Sequence, residues 1–220
     1  MSKFSGVAIM ISNEGNVFVV EHDNGVMTHK DIEPDSLLSC MNNSLKRGRI
    51  SSGLLPKHCL SYTVNENGSK VICVLFPEEK ADITYIETTY KDFPLPRLIF
   101  GFHVSKDGRI SNSRLGVIEK TEIIKPNTKM FCWPLSNVSD TYICTGSNRF
   151  PKCKNLYTLA SIPYLIMAMP NNLHGFSNKN NRMGMEMREL LELLKDKTQD
   201  YYYRHVLVPS GKTIKDFIGE

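Results

Sequence analysis

The chain predicts an α+β protein: an antiparallel β-meander with flanking helices. Three observations lead there. Short strand-like runs recur at regular spacing through the first two thirds of the 220 residues, and the connections between them are tight and carry Gly where a positive φ costs least. Two later segments, 155–169 and 185–195, switch to long apolar runs with helical spacing. No strand alternates with a helix in the manner of a βαβ array, which removes a parallel sheet from consideration.

Taken in order, 7–11 and 17–21 flank Asn13-Glu14-Gly15-Asn16 and read as a hairpin. Pro34-Asp35-Ser36 then opens a helix through Leu37, Leu38, Met41 and Leu45 that Gly48 closes. Strands are expected at 59–64, 70–76, 83–87, 97–104 and 110–118, with turns at 65–68 and 105–108. Pro163 should start a new turn or kink within 155–169, and Pro170-Asn171-Asn172 should end that segment. The helix at 185–195 presents Met187, Leu190, Leu191 and Leu194 on one side. Tyr201-Tyr202-Tyr203 reads as packing, 206–208 as a short strand, and 214–217 as a capped final turn. No repeat or long linker divides the chain, so residues 1–220 are expected to form a single domain, with 1–30 as an N-terminal hairpin embellishment.

Composition narrows the function classes. With 41% hydrophobic and 23% charged residues the chain has enough apolar side chains for one sizeable core. The net charge of +4 is mild, and the one dense basic group, Lys46, Arg47 and Arg49, reads as a solvated helix end and not a nucleic-acid footprint. No run reaches the roughly 18 apolar residues a membrane span needs. The apolar run 6–11 is too short for an export signal, which makes the cysteines at 40, 59, 73, 132, 144 and 153 reduced thiols of a cytoplasmic protein.

Several motifs fail on spacing. Ser210-Gly211-Lys212-Thr213 imitates the end of a phosphate-binding loop, but Val206 stands where the upstream Gly is required. Cys132, Cys144 and Cys153 form no Cys-x-x-Cys pair, so neither a metal nor a cofactor is expected. Glu78-Glu79 beside Pro77 is a solvated turn.

The segment 130–150, MFCWPLSNVSDTYICTGSNRF, is different. Cys144 ends a strand-like pair and precedes Thr145-Gly146-Ser147, so its thiol stands at a loop boundary where it can act as a nucleophile or simply close a buried strand. Pro134 restricts the approach, and Asn137 carries a carboxamide able to bond backbone or an oxyanion. His174, in the loop Pro170-Asn171-Asn172-Leu173-His174-Gly175, is of the residue type used as base or orienter near neutral pH.

These residues carry a resemblance. Helix, antiparallel meander, Pro134-x-x-Asn137-Val138, Ile143-Cys144 and further helices follow the element order of the ubiquitin-conjugating-enzyme fold, here with an extra N-terminal hairpin. The eukaryotic-type His-Pro-Asn is replaced by Trp133-Pro134 with Asn137 displaced by two residues. The chain is more similar to the prokaryotic ubiquitin-conjugating-like family D, the group of PRTRC system protein B. The features are Pro96-x-Leu98-Ile99-Phe100, Pro134-x-x-Asn137-Val138, Cys144-x-Gly146 and the later loop His174. The resemblance implies Cys144 and His174 as active-site positions, Asn137 as the carboxamide, and transfer of a ubiquitin-like protein held on Cys144 as a thioester. It also implies an activating-enzyme-like protein, a ubiquitin-like protein and a JAB-type metallopeptidase as partners. The rival expectation is a noncatalytic scaffold of a plasmid or mobile-element complex with Cys144 buried; a Cys-His hydrolase would need the two side chains in contact within a groove.

Overall fold

The computed structural model describes residues 6–23, 26–44 and 51–219. The chain forms two compact units, Met1–Ser51 and Ser52–Glu220. In the first, β1 (Gly6–Ile11), β2 (Val17–Asp23) and β3 (Val26–Ile32) make an antiparallel sheet in sequence order, followed by α1 (Pro34–Ser44). The expected hairpin therefore has a third strand. Val-Met-Thr-His-Lys-Asp-Ile has no clean apolar alternation, and β3 is exposed along almost its whole length, so burial left little trace in its sequence. Leu45, Gly48 and the basic cluster Lys46, Arg47 and Arg49 lie outside the described residues.

The second unit is built on β4 (Cys59–Val64), β5 (Lys70–Phe76), β8 (Leu98–Val104) and β9 (Ile110–Ile118), with β6 (Lys80–Tyr85) and β7 (Thr88–Pro94) set aside as a two-stranded sheet. β10 (Lys129–Phe131), β11 (Val138–Ser139) and β12 (Tyr142–Ile143) complete the middle of the chain. Helical segments follow: a 3-10 turn at Leu156–Ser161, α2 (Ile162–Met167), α3 (Met187–Leu194), the single turn α4 (Gln199–Tyr201) and a π-turn at Tyr202–Val206. β13 (Pro209–Thr213) and α5 (Ile214–Ile218) end the described chain. The main sheet runs β11-β12-β9-β8-β5-β4, all antiparallel, and β10 joins β9 to β13. The fold is α+β with an antiparallel meander, as the sequence predicts.

β5 and β8 read Lys-Val-Ile-Cys-Val-Leu-Phe and Leu-Ile-Phe-Gly-Phe-His-Val, nearly continuous apolar runs, because both their faces are covered. One face carries Ile72, Val74, Phe76, Phe100, Phe102 and Val117 into the main core, where they meet Leu159, Ile162 and the α3 stripe Leu190, Leu191 and Leu194. The opposite face carries Cys73, Ile99, Ile118 and Met130 beneath Ile214 and Phe217 of α5. Gly116 and Gly101 make that second layer fit: a Cβ at Gly116 would lie 2.2 Å from Met130 Cε, and one at Gly101 3.3 Å from the Phe217 ring.

Several expected elements shift. The strand predicted at 83–87 is the β6–β7 hairpin, reversed at Ile86, which holds φ 55 without being Gly and so gives no turn signal. The apolar run 155–169 divides as Pro163 foretells, into a 3-10 turn and α2 with Pro163 in its first turn. The short strand expected at 206–208 is displaced to β13, because 202–206 coils into a π-turn and Gly211, at φ 75, supplies the bulge that lets 209–213 pair with β10. The final turn is capped as expected, with Thr213 and Asp216 bonding reciprocally. The tyrosine run packs: Tyr202 is fully buried and donates to the Pro94 carbonyl at 2.8 Å, and Tyr203 donates to the Ile118 carbonyl at 2.8 Å.

The α3 stripe gives a direct test of this packing. Leu191→Ala should destabilise the second unit by about 2–5 kcal/mol, whereas Leu165→Ala, on the exposed side of α2, should stay within about 0.5 kcal/mol. Urea unfolding followed by the fluorescence of Trp133, the single and buried tryptophan, reads that unit.

Candidate functional site around Cys144

The site is a very short hairpin at the margin of the sheet. Val138 pairs with Ile143 and Ser139 with Tyr142 around an Asp140-Thr141 turn in which Asp140 holds φ 57. The Cys144 N–H donates to the Asn137 carbonyl at 2.8 Å, which extends the ladder by one step and sets Cys144 opposite Asn137. Alternation then decides which side chains point where. Val138 and Ile143 turn into the main core, while Ser139, Tyr142 and Cys144 face outward. Cys144 is exposed, unlike Cys73 and Cys153, which are buried.

A turn follows at once. The Asn148 N–H donates to the Thr145 carbonyl at 3.0 Å, with Gly146 at φ 55 in the first central position. No intramolecular hydrogen bond engages the Gly146 and Ser147 N–H groups among the described residues. The turn is pinned from its far side by Asn148 Nδ2, which donates to the Thr145 carbonyl at 3.0 Å and contacts Met169 Sδ at 3.6 Å.

His174 is brought to this hairpin through backbone. The Asn137 N–H donates to the His174 carbonyl at 2.7 Å, so Asn137 bonds Cys144 with its carbonyl and His174 with its amide. Asn137 holds φ 63, a conformation Asn tolerates better than most residues. Its Nδ2 donates to the Pro170 carbonyl at 3.1 Å, so one carboxamide hydrogen is engaged in holding the loop. Gly175 permits the approach: it sits at φ 69, and a Cβ there would lie 3.0 Å from the Val138 carbonyl oxygen. The His174 N–H donates to Asn172 Oδ1 at 2.6 Å, and its side chain is exposed. No hydrogen bond joins the Cys144 thiol to the His174 ring among the described residues.

Beneath the hairpin lies a residue that sequence reasoning treated only as a helix end. Asn171 is buried, accepts from Ser136 Oγ at 3.0 Å, and donates to the Thr84 carbonyl from its backbone N–H at 2.7 Å and from Nδ2 at 3.2 Å. The Ile86 N–H returns a bond to the Asn171 carbonyl at 3.0 Å. Asn171 thus ties the end of α2 to the β6–β7 hairpin and to the Trp133–Ser136 segment, where Trp133 Nε1 donates to the Ser136 carbonyl at 3.1 Å. Buried polar groups need such partners. The signal was present in the sequence as Asn following Pro at the end of an apolar run, but its partners lie 35 and 87 residues away.

Titration separates the thiols. Burial pushes the Cys73 thiol up to about 11, against a weaker opposing effect of Arg114. Burial also raises Cys59 and Cys132, the latter pushed further by Asp140 and opposed by Lys212. No cluster of three or more metal-ligating side chains occurs among the described residues. No helix among them is long and apolar enough to cross a membrane.

A family model for prokaryotic E2 family D matches residues 36–210. The chain belongs to that family. The match spans α1, the main sheet, the Cys144 hairpin, the His174 loop and the start of β13, so the resemblance seen in the sequence holds for most of the chain and an E2-like role follows. No curated protein and no solved structure matches the chain.

Two measurements test the geometry. At pH 8 iodoacetamide should label Cys144 ahead of Cys59, Cys132 and Cys153, and should leave Cys73 untouched, since a thiol near 11 is only about one part in a thousand thiolate there. Mass spectrometry of the native protein reads the order, and labelling of Cys73 as fast as Cys144 would refute it. Gly175→Ala should destabilise by about 1–3 kcal/mol, through a strained φ and contact with Val138, and should increase amide exchange at Asn137.

Proposed function

We propose that this E2-like chain takes a ubiquitin-like protein onto Cys144 as a thioester and passes it to an acceptor. The observation that carries the reading is the exposed thiol between a two-pair hairpin and a Gly turn, within the stretch that matches the family. In the first step the Cys144 thiolate attacks the thioester carbonyl carbon held by an activating-enzyme-like partner. The tetrahedral intermediate then expels that partner's thiolate. In the second step an acceptor amine or hydroxyl attacks the same carbonyl carbon, its proton passes to a base, and the Cys144 sulfur leaves as thiolate.

The free N–H groups of Gly146 and Ser147 are the donors available to the oxyanion, since the Cys144 N–H is spent on Asn137. Asn137 contributes by holding the loop, and its remaining carboxamide hydrogen is a further donor. His174 takes the acceptor's proton or orients the acceptor when that group arrives between its exposed ring and the thiol. The partners in this reading are an activating-enzyme-like protein and a ubiquitin-like protein in the cytoplasm, with a JAB-type metallopeptidase to process or reverse the conjugate.

The protein, mixed with candidate activating-enzyme-like and ubiquitin-like partners and ATP, should give an adduct on non-reducing gels that dithiothreitol removes. Cys144→Ala should abolish it. His174→Ala should leave loading intact and slow discharge to free lysine by about 10²-fold or more. An adduct that survives Cys144→Ala would sink the reading. Absence of any adduct, with Cys144 slow toward iodoacetamide, would favour the scaffold.

A further inference from the structure

The C-terminal segment reaches the Cys144 hairpin at two places. At the hairpin tip, Lys212 Nζ of β13 contacts both carboxylate oxygens of Asp140, each at 2.6 Å. Next to the tip, Tyr142, which closes the turn, is directly opposite Arg114 of β9, and the Arg114 guanidinium lies 4.7 Å from the centre of the Phe217 ring of α5. Directly opposed residues share a face of the sheet. Tyr142, and Cys144 two residues on, therefore lie on the same face as Arg114, the face that α5 covers.

The hairpin needs such support. Two residue pairs make a ribbon far below the size that holds itself together in water. Its inner strand is joined to β9 by the Tyr142–Arg114 pair and by the Leu115 N–H, which donates to the Thr141 carbonyl at 2.8 Å. Its outer strand leans on the loop at Gly175. The tip itself has Asp140 in a left-handed conformation, and Lys212 is the cation that meets it.

We propose that Lys212 is a positioning residue for Cys144: docking of the C-terminal strand and helix holds the hairpin tip, and through it the thiol, in place. The inference rests on Cys144 as the reactive group of the proposed function. The Lys212 side chain is partly shielded, at 38% exposure, and it projects from a strand already anchored by Ser210 Oγ, which donates to the Met130 carbonyl at 2.9 Å. Less side-chain freedom is lost in forming this pair than in a pair of free surface chains. β13 pairs with β10 at Lys129–Thr213 and Phe131–Pro209, which holds Lys212 beside that strand.

The test uses the full chain and needs no partner. Amide hydrogen exchange is measured at Cys144 and Leu115, whose N–H groups bond Asn137 and Thr141, with Phe100 in the sheet centre as control. Lys212→Met should speed exchange at the first two by roughly three- to fivefold and leave Phe100 unchanged, the scale of one ion pair. In the wild type, 0.5 M KCl should produce the same change, and it should produce none in Lys212→Met. Lys212→Arg should keep protection at the wild-type level, whereas Asp140→Asn, which retains the left-handed turn and removes the charge, should reproduce the faster exchange of Lys212→Met. Unchanged exchange at Cys144 in Lys212→Met would overturn the proposal, as would wild-type protection in Asp140→Asn. Where the wild type forms the thioester adduct, Lys212→Met should slow its formation by a similar factor. If no adduct forms, the thioester reading falls while the exchange results still decide whether Lys212 positions the hairpin.

Discussion

Burial of both faces of β5 and β8 is the constraint on which the second unit depends. A strand covered on one side can alternate apolar and polar residues, but these two have no solvated face, so each needs a layer above and a layer below. The helices after Cys144 supply one layer and α5 supplies the other. The centre of the sheet is thereby closed to any partner. The Cys144 hairpin lies at one margin of that sheet: Val138 and Ile143 anchor it in the main core, and the same alternation turns Cys144 outward.

Few of the contacts that shape the site are between side chains. Asn137 connects Cys144 and His174 through its own carbonyl and N–H, Gly175 allows the loop to lie on Val138, and Asn171 fixes the loop's base to two distant segments. Such an arrangement is insensitive to the identity of many side chains and sensitive to backbone conformation. Positive φ at Asn137, Asp140, Gly146 and Gly175 bends the chain around the exposed Cys144 thiol and the backbone of the turn that follows it.

Much of the fold was legible because it rests on local chemistry. Strands β4, β5, β8 and β9 follow from apolar runs punctuated by Asn-Gly and Asp-Gly turns, and α3 from a stripe at helical spacing. Where the signal is not local, legibility fails. β3 is too exposed to have an apolar pattern, Ile86 turns the chain without a turn residue, and β13 exists only because β10 offers it an edge. Of the site, Cys144, Asn137 and His174 stood out as residue types in suggestive settings. That Asn137 bonds His174 as well as the nearby Cys144, and that Asn171 ties the loop to Ser136 and Thr84, depends on contacts across more than 30 residues.

By itself, the sequence determined the fold class, the order of most elements, the family to which the chain belongs and the small set of residues with chemistry to offer. The fold class, the element order and the residue types are properties of composition, periodicity and turn geometry, each expressed within a few residues of chain, while the family followed from the resemblance of its motifs. Only the tertiary structure decided that Cys144 faces solvent while its neighbour Ile143 does not. It also brought the loop of His174 to the hairpin through Asn137, and Lys212 from the far end of the chain onto Asp140. The physical reason is that exposure and hydrogen-bond pairing belong to the assembled sheet, whose margin forms only after both of its faces are covered.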